Sequence, residues 1–184
     1  MTEPEPTTPE GTTLVTPRML EVQGEWTEPV SCLPIEASDI RRWAIAVYWP
    51  EPPPPLYWDK DYAQTTRWGE IIAPRDFNPF AWPIVRPETL DFWLIDSILP
   101  QRARGSSEGQ SEVTVGNRGM NGGQMDENGV VMRPGDVITQ RSRLLDWKER
   151  HTSLGHTIFT RTEHLWENQD GAMVKRRINT LIRY

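Results

Sequence analysis

The sequence predicts an α+β domain in which a helix packs on one side of a curled antiparallel sheet. The helical signal lies in Glu36 to Tyr48, where apolar residues recur at intervals of three and four. The sheet signal lies in the C-terminal third, where three runs are rich in Val, Ile, Thr, Trp and Phe. These runs are Asp136 to Lys148, Gly155 to Glu167 and Ala172 to Tyr184.

Composition limits the classes of function. A chain of 184 residues suffices for one core, and its formal charge of −6 argues against nucleic-acid binding. The basic cluster Lys175, Arg176 and Arg177 is divided between two faces by strand alternation, which favours a solvated strand edge over a phosphate site. With Cys32 as the single cysteine, the chain forms no internal disulfide and no thiolate zinc site.

Targeting signals also bear on location. No apolar run approaches the roughly 18 residues of a membrane span. The N-terminus is acidic and rich in Pro and Thr, unlike a signal peptide. We therefore expect a soluble, cytoplasmic protein with no membrane contact.

The N-terminal part is expected to be largely irregular. Residues 1–17 are too poor in apolar side chains to offset the entropy of ordering, so we predict a disordered tail before a single domain over 18–184. Met19 to Trp26 is expected to hold one short strand. Glycines recur through the region 101–135, which predicts loops and a ragged strand near Gly123 to Met125.

Glu36 to Tyr48 is the clearest helix. Ser38 is the expected N-cap, and Asp39 favours the positive end of the helix dipole. The residues expected to enter the core are Ile40, Trp43, Ala44 and Val47.

Trp49 to Phe80 holds most of the functional information. Five prolines between Pro50 and Pro55 predict stiff, extended backbone, which excludes a helix or a central strand there. Asp59 then caps a short helix, and Gly69 turns the chain into a buried segment at Ile71 and Ile72.

Ala73 to Pro87 is apolar but interrupted by prolines, so it forms a helical turn at most. Phe77, Phe80 and Trp82 in this segment either fill a core or line a pocket. The following run, Leu90 to Leu99, is too short to be assigned as strand or helix.

The C-terminal strands are joined by a recognisable turn. Asn168 to Gly171 is a hairpin signal between the last two runs. In the last run alternation divides the side chains, so we predict one buried and one solvated face. The predicted buried face holds Val174, Ile178, Thr180, Ile182 and Tyr184, and the solvated face Lys175, Arg177, Asn179 and Arg183.

Candidate chemistry is sparse. His151, His156 and His164 have no ligand partner at metal-site spacing, so each is expected to be structural or solvated, and we predict no metal. Asp59 is explained as a helix cap. Asp76 begins a turn at the edge of an apolar segment, and a dry pocket there would raise its pKa and suit it to acid/base work.

Five segments together resemble a known family. They are SDIRRWAIAV, LYWDKDYA, RWGEIIAPRDF, RPGDVIT and WENQDGAMV. Over Gly24 to Tyr184 the chain resembles the N-terminal half of MaoC-like hydratases, the FAS1-like dehydratase domain of the hotdog superfamily. The resemblance implies a long antiparallel sheet wrapped around a central helix, and pairing of two hotdogs into a continuous sheet.

Catalytic members of that family carry a loop Asp-x-Asn-Pro-Leu/Ile-His-x-Asp, whose first Asp and His add water across a 2-enoyl thioester. Aligning Leu56 to Asp59 with the end of this loop places Pro52 on the catalytic Asp and Tyr57 on the His. Proline cannot transfer a proton. Tyrosine, with an ordinary pKa of about 10, is a poor substitute for an imidazole.

The resemblance therefore implies a non-catalytic subunit whose catalytic hotdog partner supplies the dyad, with an acyl-CoA thioester as substrate and no cofactor. The prolines of Ala73 to Pro87 further imply a shortened or broken central helix. As in steroid side-chain hydratases, this would open space for a bulky acyl chain beside Phe77, Phe80 and Trp82.

Two alternatives stay open. One is a stand-alone homodimeric hydratase whose acid/base work has moved to Asp76, Asp59, Tyr57 or His156. The other is a binding module that holds an acyl thioester without chemistry.

Overall fold

The computed structural model describes residues 13–81 and 118–184. Within these residues, five strands form one antiparallel sheet in the order β1-β3-β4-β5-β2. The elements are α1 (Pro17–Val22), β1 (Val30–Ser31), α2 (Ala37–Tyr48), a 3-10 turn (Pro55–Tyr57), α3 (Lys60–Gln64), β2 (Gly119–Asn128), β3 (Thr139–Thr152), β4 (Gly155–Glu167) and β5 (Met173–Arg183).

The three predicted C-terminal strands are confirmed as β3, β4 and β5. The hairpin between β4 and β5 turns at Gly171, which has φ of 74°. The turn closes with a hydrogen bond of 3.0 Å from the Asn168 amide to the Ala172 carbonyl. β3 begins later than predicted because the Asp136 carboxylate accepts from the Arg133 amide at 2.8 Å and holds that stretch in a turn.

β2 lies at one edge of the described sheet and is longer than the ragged strand predicted near Gly123. All of its residues are exposed, and its pairing with β5 shifts register between Asn121 and Gly123. At the skipped residue, Gly122, a Cβ atom would lie 2.8 Å from the Ile182 side chain, so the bulge requires glycine.

The helix predicted at Glu36 to Tyr48 forms, but its cap differs. Glu36 takes the N-cap position, not Ser38, and its amide donates to the Asp39 carboxylate at 3.3 Å. Ile40 and Ala44 are buried as predicted. Val47 is wrong as a core residue, because it is 53% exposed where the last turn of the helix leaves the core.

The N-terminal segment is packed rather than extended. A short strand was predicted over Met19 to Trp26, but α1 forms instead, since Thr16 caps it and Pro17 occupies the first helical turn. Residues 13–17 were assigned to the disordered tail, but they contact the folded domain. Leu14 is buried, and its amide donates to Glu149 Oε1 at 2.5 Å.

The segment from Asp59 to Ile72 follows the prediction. The Asp59 carboxylate accepts from the Tyr62 amide at 3.0 Å and caps α3, while Gly69 turns with φ of 71°. Ile71 and Ile72 are buried. Between Ile71 and Ala81 the chain has turns and no helix. Trp82, the run Leu90 to Leu99 and the glycines up to residue 116 lie outside the described residues.

Two apolar clusters form the core. One packs α1 against the middle of the sheet and comprises Leu14, Met19, Val22, Leu144 and Ile158. The other packs α2 and the segment 71–77 against residues next to the starts of β3 and β5. It comprises Ile35, Ile40, Ala63, Ile71, Ala73, Phe77, Met132, Ile138 and Val174.

Neighbouring residues of α1 test whether this helix stabilises the fold. Met19 is fully buried, whereas Leu20 is 65% exposed. We expect Met19→Ala to lower the free energy of unfolding by about 2–5 kcal/mol, because it leaves a cavity against the sheet. Leu20→Ala is the control and should change it by less than about 0.5 kcal/mol. Urea denaturation measures the free energy of unfolding of both variants. Equal losses in the two variants would mean that α1 does not pack against the sheet through Met19.

Candidate functional site

The face of the sheet that packs against α1, here called the inner face, is unexpectedly polar. Leu144 and Ile158 on this face contact α1. Ser142 lies two residues before Leu144 on β3. The strand register aligns it with three further polar side chains, so that a row of four crosses β3, β4, β5 and β2. This polar row consists of Ser142, His164, Arg177 and Asp126.

The predicted division of β5 into a buried and a solvated face is only partly correct. Val174, assigned to the buried face, is 4% exposed and belongs to a core cluster. Lys175, assigned to the solvated face, is only 3% exposed, and Leu181 on the same face packs against the α1 cluster. Ile178 and Ile182, assigned to the buried face, are partly exposed. Alternation correctly separates the two sets, but it does not say which set faces the core.

Members of the polar row pair with one another. Ser142 Oγ lies 2.7 Å from His164 Nδ1. Arg177 donates from Nε and Nη2 to the two Asp126 carboxylate oxygens at 2.7 and 2.6 Å. The Arg177 hydrogen bonds lower the pKa of Asp126 below its ordinary value. The row is thus held by charge-assisted and neutral hydrogen bonds.

His164 is a neutral imidazole at physiological pH. Burial, reinforced by the positive charge of Arg177, lowers its pKa to about 4, although Glu163 opposes the shift. A neutral ring can share the hydrogen bond with Ser142. The expectation of a structural histidine fits this position.

Lys175 connects β5 to the segment 73–77. Its Nζ donates to the Arg75 carbonyl at 2.5 Å and lies 5.1 Å from the centre of the Trp166 ring. Burial, together with the nearby charge of Arg177, lowers the pKa of Lys175. Asp76 and Asp126 act on Lys175 in the opposite direction, so this lysine lies between the polar row and the turn at Asp76.

A small cavity adjoins Lys175. It measures about 20 Å³, which is room for roughly one water molecule. It is too small for an acyl chain. Its walls are Ala73, Pro74, Arg75, Asn128, Gly129, Val130, Val131, Met132, Val174 and Lys175.

Tyr57, at the predicted dyad position, packs beside Tyr48. The ring centres are 6.1 Å apart. Burial and the hydrogen bond with Tyr48 raise the pKa of Tyr57 above its ordinary 10.0, with Arg75 opposing the rise. Pro52, at the other dyad position, is exposed in the proline-rich loop.

Asp76 is exposed, so the dry pocket expected around it is not observed. The reason is a tight turn in which the Phe77 amide donates to the Pro74 carbonyl at 2.9 Å. Arg75 and Asp76 are the two corner residues of this turn, and corner side chains point outward. Tyr57 and Asp76 form no contact with each other. The charge of Arg75 acts on the pKa of Tyr57, whereas the charge of Asp76 acts on the pKa of Lys175.

The three aromatic candidates have different positions. Phe77 is 1% exposed and packs edge-on against Trp43, with ring centres 5.7 Å apart, so it is a core residue. Phe80 is partly buried, and its ring centre lies 5.4 Å from that of Trp166. Trp82 lies outside the described residues.

The remaining candidates lie apart. Asp59 is engaged as the cap of α3. His156 lies at the β3–β4 hairpin, with Nε2 3.4 Å from Glu149 Oε1, and its ring stacks on His151. Within residues 13–81 and 118–184 no three His, Cys, Asp or Glu side chains are grouped to hold a metal ion. None of the described helices is long and apolar enough to span a membrane.

Reasoning from the sequence missed the polar row and Lys175. Each member is an ordinary polar residue in a strand, and the strands are far apart in the chain. Only the register of β3, β4, β5 and β2 brings them together. The one available signal was the basic run at Lys175 to Arg177, which was interpreted as a solvated edge.

Comparisons with known proteins agree with this architecture. The family model described as "FAS1-like, dehydratase domain region" matches residues 21–177. A comparison with curated proteins found no match.

Among solved structures, the ChsH1-ChsH2 complex from Mycobacterium tuberculosis matches with a TM-score of 0.62 and 14% identity, covering 91% of this chain and 94% of that one. The HadBC (3R-hydroxyacyl-ACP dehydratase) complex from the same organism gives 0.57 and 18%, covering 88% and 96%. The R-hydratase PhaJ1 from Pseudomonas aeruginosa gives 0.53 and 18%, covering 86% and 79%. These likenesses confirm the predicted hotdog fold.

The buried His164 makes stability depend on pH. Its folded pKa of about 4 lies below the ordinary 6.5, so between these values the unfolded chain binds a proton that the folded chain does not. The His164 contribution should therefore fall by up to about 3 kcal/mol as the pH drops from 7 to 4.

The measurement is the free energy of unfolding against pH for the wild type and His164→Gln. We expect the variant to lose less stability on acidification than the wild type. The exposed His151→Gln is the matched control and should follow the wild-type profile. Parallel profiles for all three proteins would contradict the assignment.

Proposed function

The chain belongs to the FAS1-like dehydratase family, and on that premise we propose that it is the non-catalytic subunit of a heteromeric hydratase. The complex would be an (R)-specific 2-enoyl-CoA hydratase or 3-hydroxyacyl thioester dehydratase. Its catalytic subunit would be a second hotdog protein with an intact Asp and His. The observation that carries this proposal is the chemistry of Pro52 and Tyr57 at the dyad positions.

Neither position supplies a general base at neutral pH. The Pro52 side chain has no ionisable group. Tyr57 has a pKa above its ordinary value because it is buried against Tyr48, so it stays protonated and cannot serve as a base. A hydratase needs one group for the water proton and another for the α-carbon proton. This loop supplies no base, so the pair of groups is incomplete.

No other described residues replace the dyad. Asp59 caps a helix, Asp76 is exposed at a turn, and His156 lies at the β3–β4 hairpin. His164 is neutral, but its partner Ser142 is only 3% exposed, which keeps substrate away from that hydrogen bond. The stand-alone enzyme is therefore the weaker candidate.

A role in shaping the acyl pocket fits the geometry better. Phe80 and Trp166 form an edge-on aromatic pair close to Lys175. The cavity found within the described part of this chain is too small for an acyl group. A pocket for a bulky acyl thioester would therefore be completed at the interface with the partner.

Two features support a heteromeric assembly. The ChsH1-ChsH2 and HadBC proteins, which share this fold, are named as two-component complexes. In this chain the edge strand β2 is exposed along its whole length, from Gly119 to Asn128. An exposed strand edge presents unpaired backbone groups that can pair with a strand of another subunit.

The test is purification of the chain from its own host, followed by native mass spectrometry and an assay with a 2-enoyl-CoA. We expect a complex with a second hotdog protein. The chain alone should show no hydration above the uncatalysed rate, and the complex should be active. Turnover by a homodimer of this chain would contradict the proposal.

Two substitutions separate the subunit role from displaced catalysis. Tyr57→Phe and Asp76→Asn each remove the proton-transferring group while preserving shape. We expect the kcat of the complex to change less than about twofold in both, since a catalytic acid or base contributes about 100-fold or more. Loss of kcat in either variant, with an unchanged melting temperature, would instead favour catalysis by this chain.

The edge strand can be tested separately. Met125 is 61% exposed on β2, so Met125→Lys should leave the free energy of unfolding nearly unchanged. We expect it to weaken subunit association at least about tenfold, because a charge on an edge strand opposes pairing. Leu154→Lys, at the exposed β3–β4 turn, is the control. Analytical ultracentrifugation measures both, and equal association would exclude β2 from the interface.

A further inference from the structure

Lys175 is a buried cation whose hydrogen-bonding capacity is only partly used. The residue is 3% exposed, and its Nζ donates to the Arg75 carbonyl. An ammonium group carries three N–H donors, so two remain after this bond. Within the described residues no carboxylate forms an ion pair with Nζ, and Asp76 and Asp126 act on it from longer range.

The cavity beside Lys175 has the size of one oxygen atom or water molecule. Its volume is about 20 Å³, and it is partly open to solvent. One wall is the backbone at Gly129, where a Cβ atom would lie 1.9 Å from the Met173 carbonyl oxygen. No larger residue fits at that position. The remaining lining includes the apolar side chains of Ala73, Val174 and Met132.

The charges around the cavity do not balance. Arg177 and Asp126 neutralise each other through their two hydrogen bonds. Arg75 and Asp76 are exposed to solvent, so Lys175 is the buried charge beside the cavity, and among the described residues it forms no ion pair. Burying a charge without a partner costs several kcal/mol, so an anionic atom beside Nζ would be stabilised.

We propose that this cavity binds one oxygen of an aliphatic carboxylate, with Lys175 as the anion-binding residue. The carboxylate oxygen accepts hydrogen bonds from the free Nζ donors, and its charge offsets that of the ammonium group. The aliphatic part of the ligand extends from the cavity toward solvent. Trp166 and the Arg75 carbonyl hold the ammonium group in place.

The test compares hexanoate with hexanamide, which has the same length and no charge. Isothermal titration calorimetry of the full chain at pH 7 should show hexanoate binding at least about tenfold more tightly, equivalent to about 1.4 kcal/mol. Lys175→Met should remove this preference. Lys148→Met, which changes an exposed lysine on the outer side of β3, is the matched control.

A second variant separates ligand binding from a purely structural role. Lys175→Gln keeps a side-chain hydrogen-bond donor but has no charge, so it should lose the preference for hexanoate. If neither variant folds, the wild-type comparison of the two ligands still decides. Equal binding of the two ligands, no hexanoate binding, or full binding by Lys175→Gln would each overturn the proposal.

This experiment uses the chain alone and measures no turnover. Failure of the hydratase proposal would therefore leave the hexanoate result unchanged. Conversely, absence of hexanoate binding would leave the assembly and activity of the heteromeric complex open to its own test.

Discussion

The inner face of the sheet depends on hydrogen bonds between polar side chains, because it carries Ser142, His164, Arg177 and Asp126 where a core usually carries apolar groups. The members at the buried end of the row would be costly to bury alone. Ser142 is buried and pairs with His164, while Arg177 pairs with Asp126 on the exposed edge strand β2. The apolar clusters on either side can then pack against one continuous sheet.

The same principle operates on the outer face. Glu163 is buried there, and burial alone would raise its pKa. Hydrogen bonds from Arg176 and Arg143 outweigh that effect and hold the pKa of Glu163 below its ordinary value. β4 therefore places a charged carboxylate on one face and a neutral imidazole on the other, at consecutive residues. This arrangement specifies the register, since a shift by one residue would separate every pair.

The proline-rich loop and the segment after it are engaged in packing. The proline-rich loop leads into a 3-10 turn, Tyr57 packs on Tyr48, and the next segment is tied to the sheet by Lys175. A residue engaged in such packing is poorly suited to exchange protons with a substrate. This packing is consistent with the proposed role as a subunit that leaves proton transfer to a partner.

The sequence by itself determined the long antiparallel strands, the helix at Ala37–Tyr48 and the cap at Asp59, because periodicity, capping and turn residues act over a few positions. The hotdog architecture was implied by the resemblance of five segments to a known family. The sequence did not determine the burial of Lys175, the helix at α1, or the exposure of Asp76. Only the tertiary structure decided these, because they depend on which distant elements cover a residue. The cavity beside Lys175 arises in the same way, from the meeting of β5 with the segment 73–75 and the chain after β2.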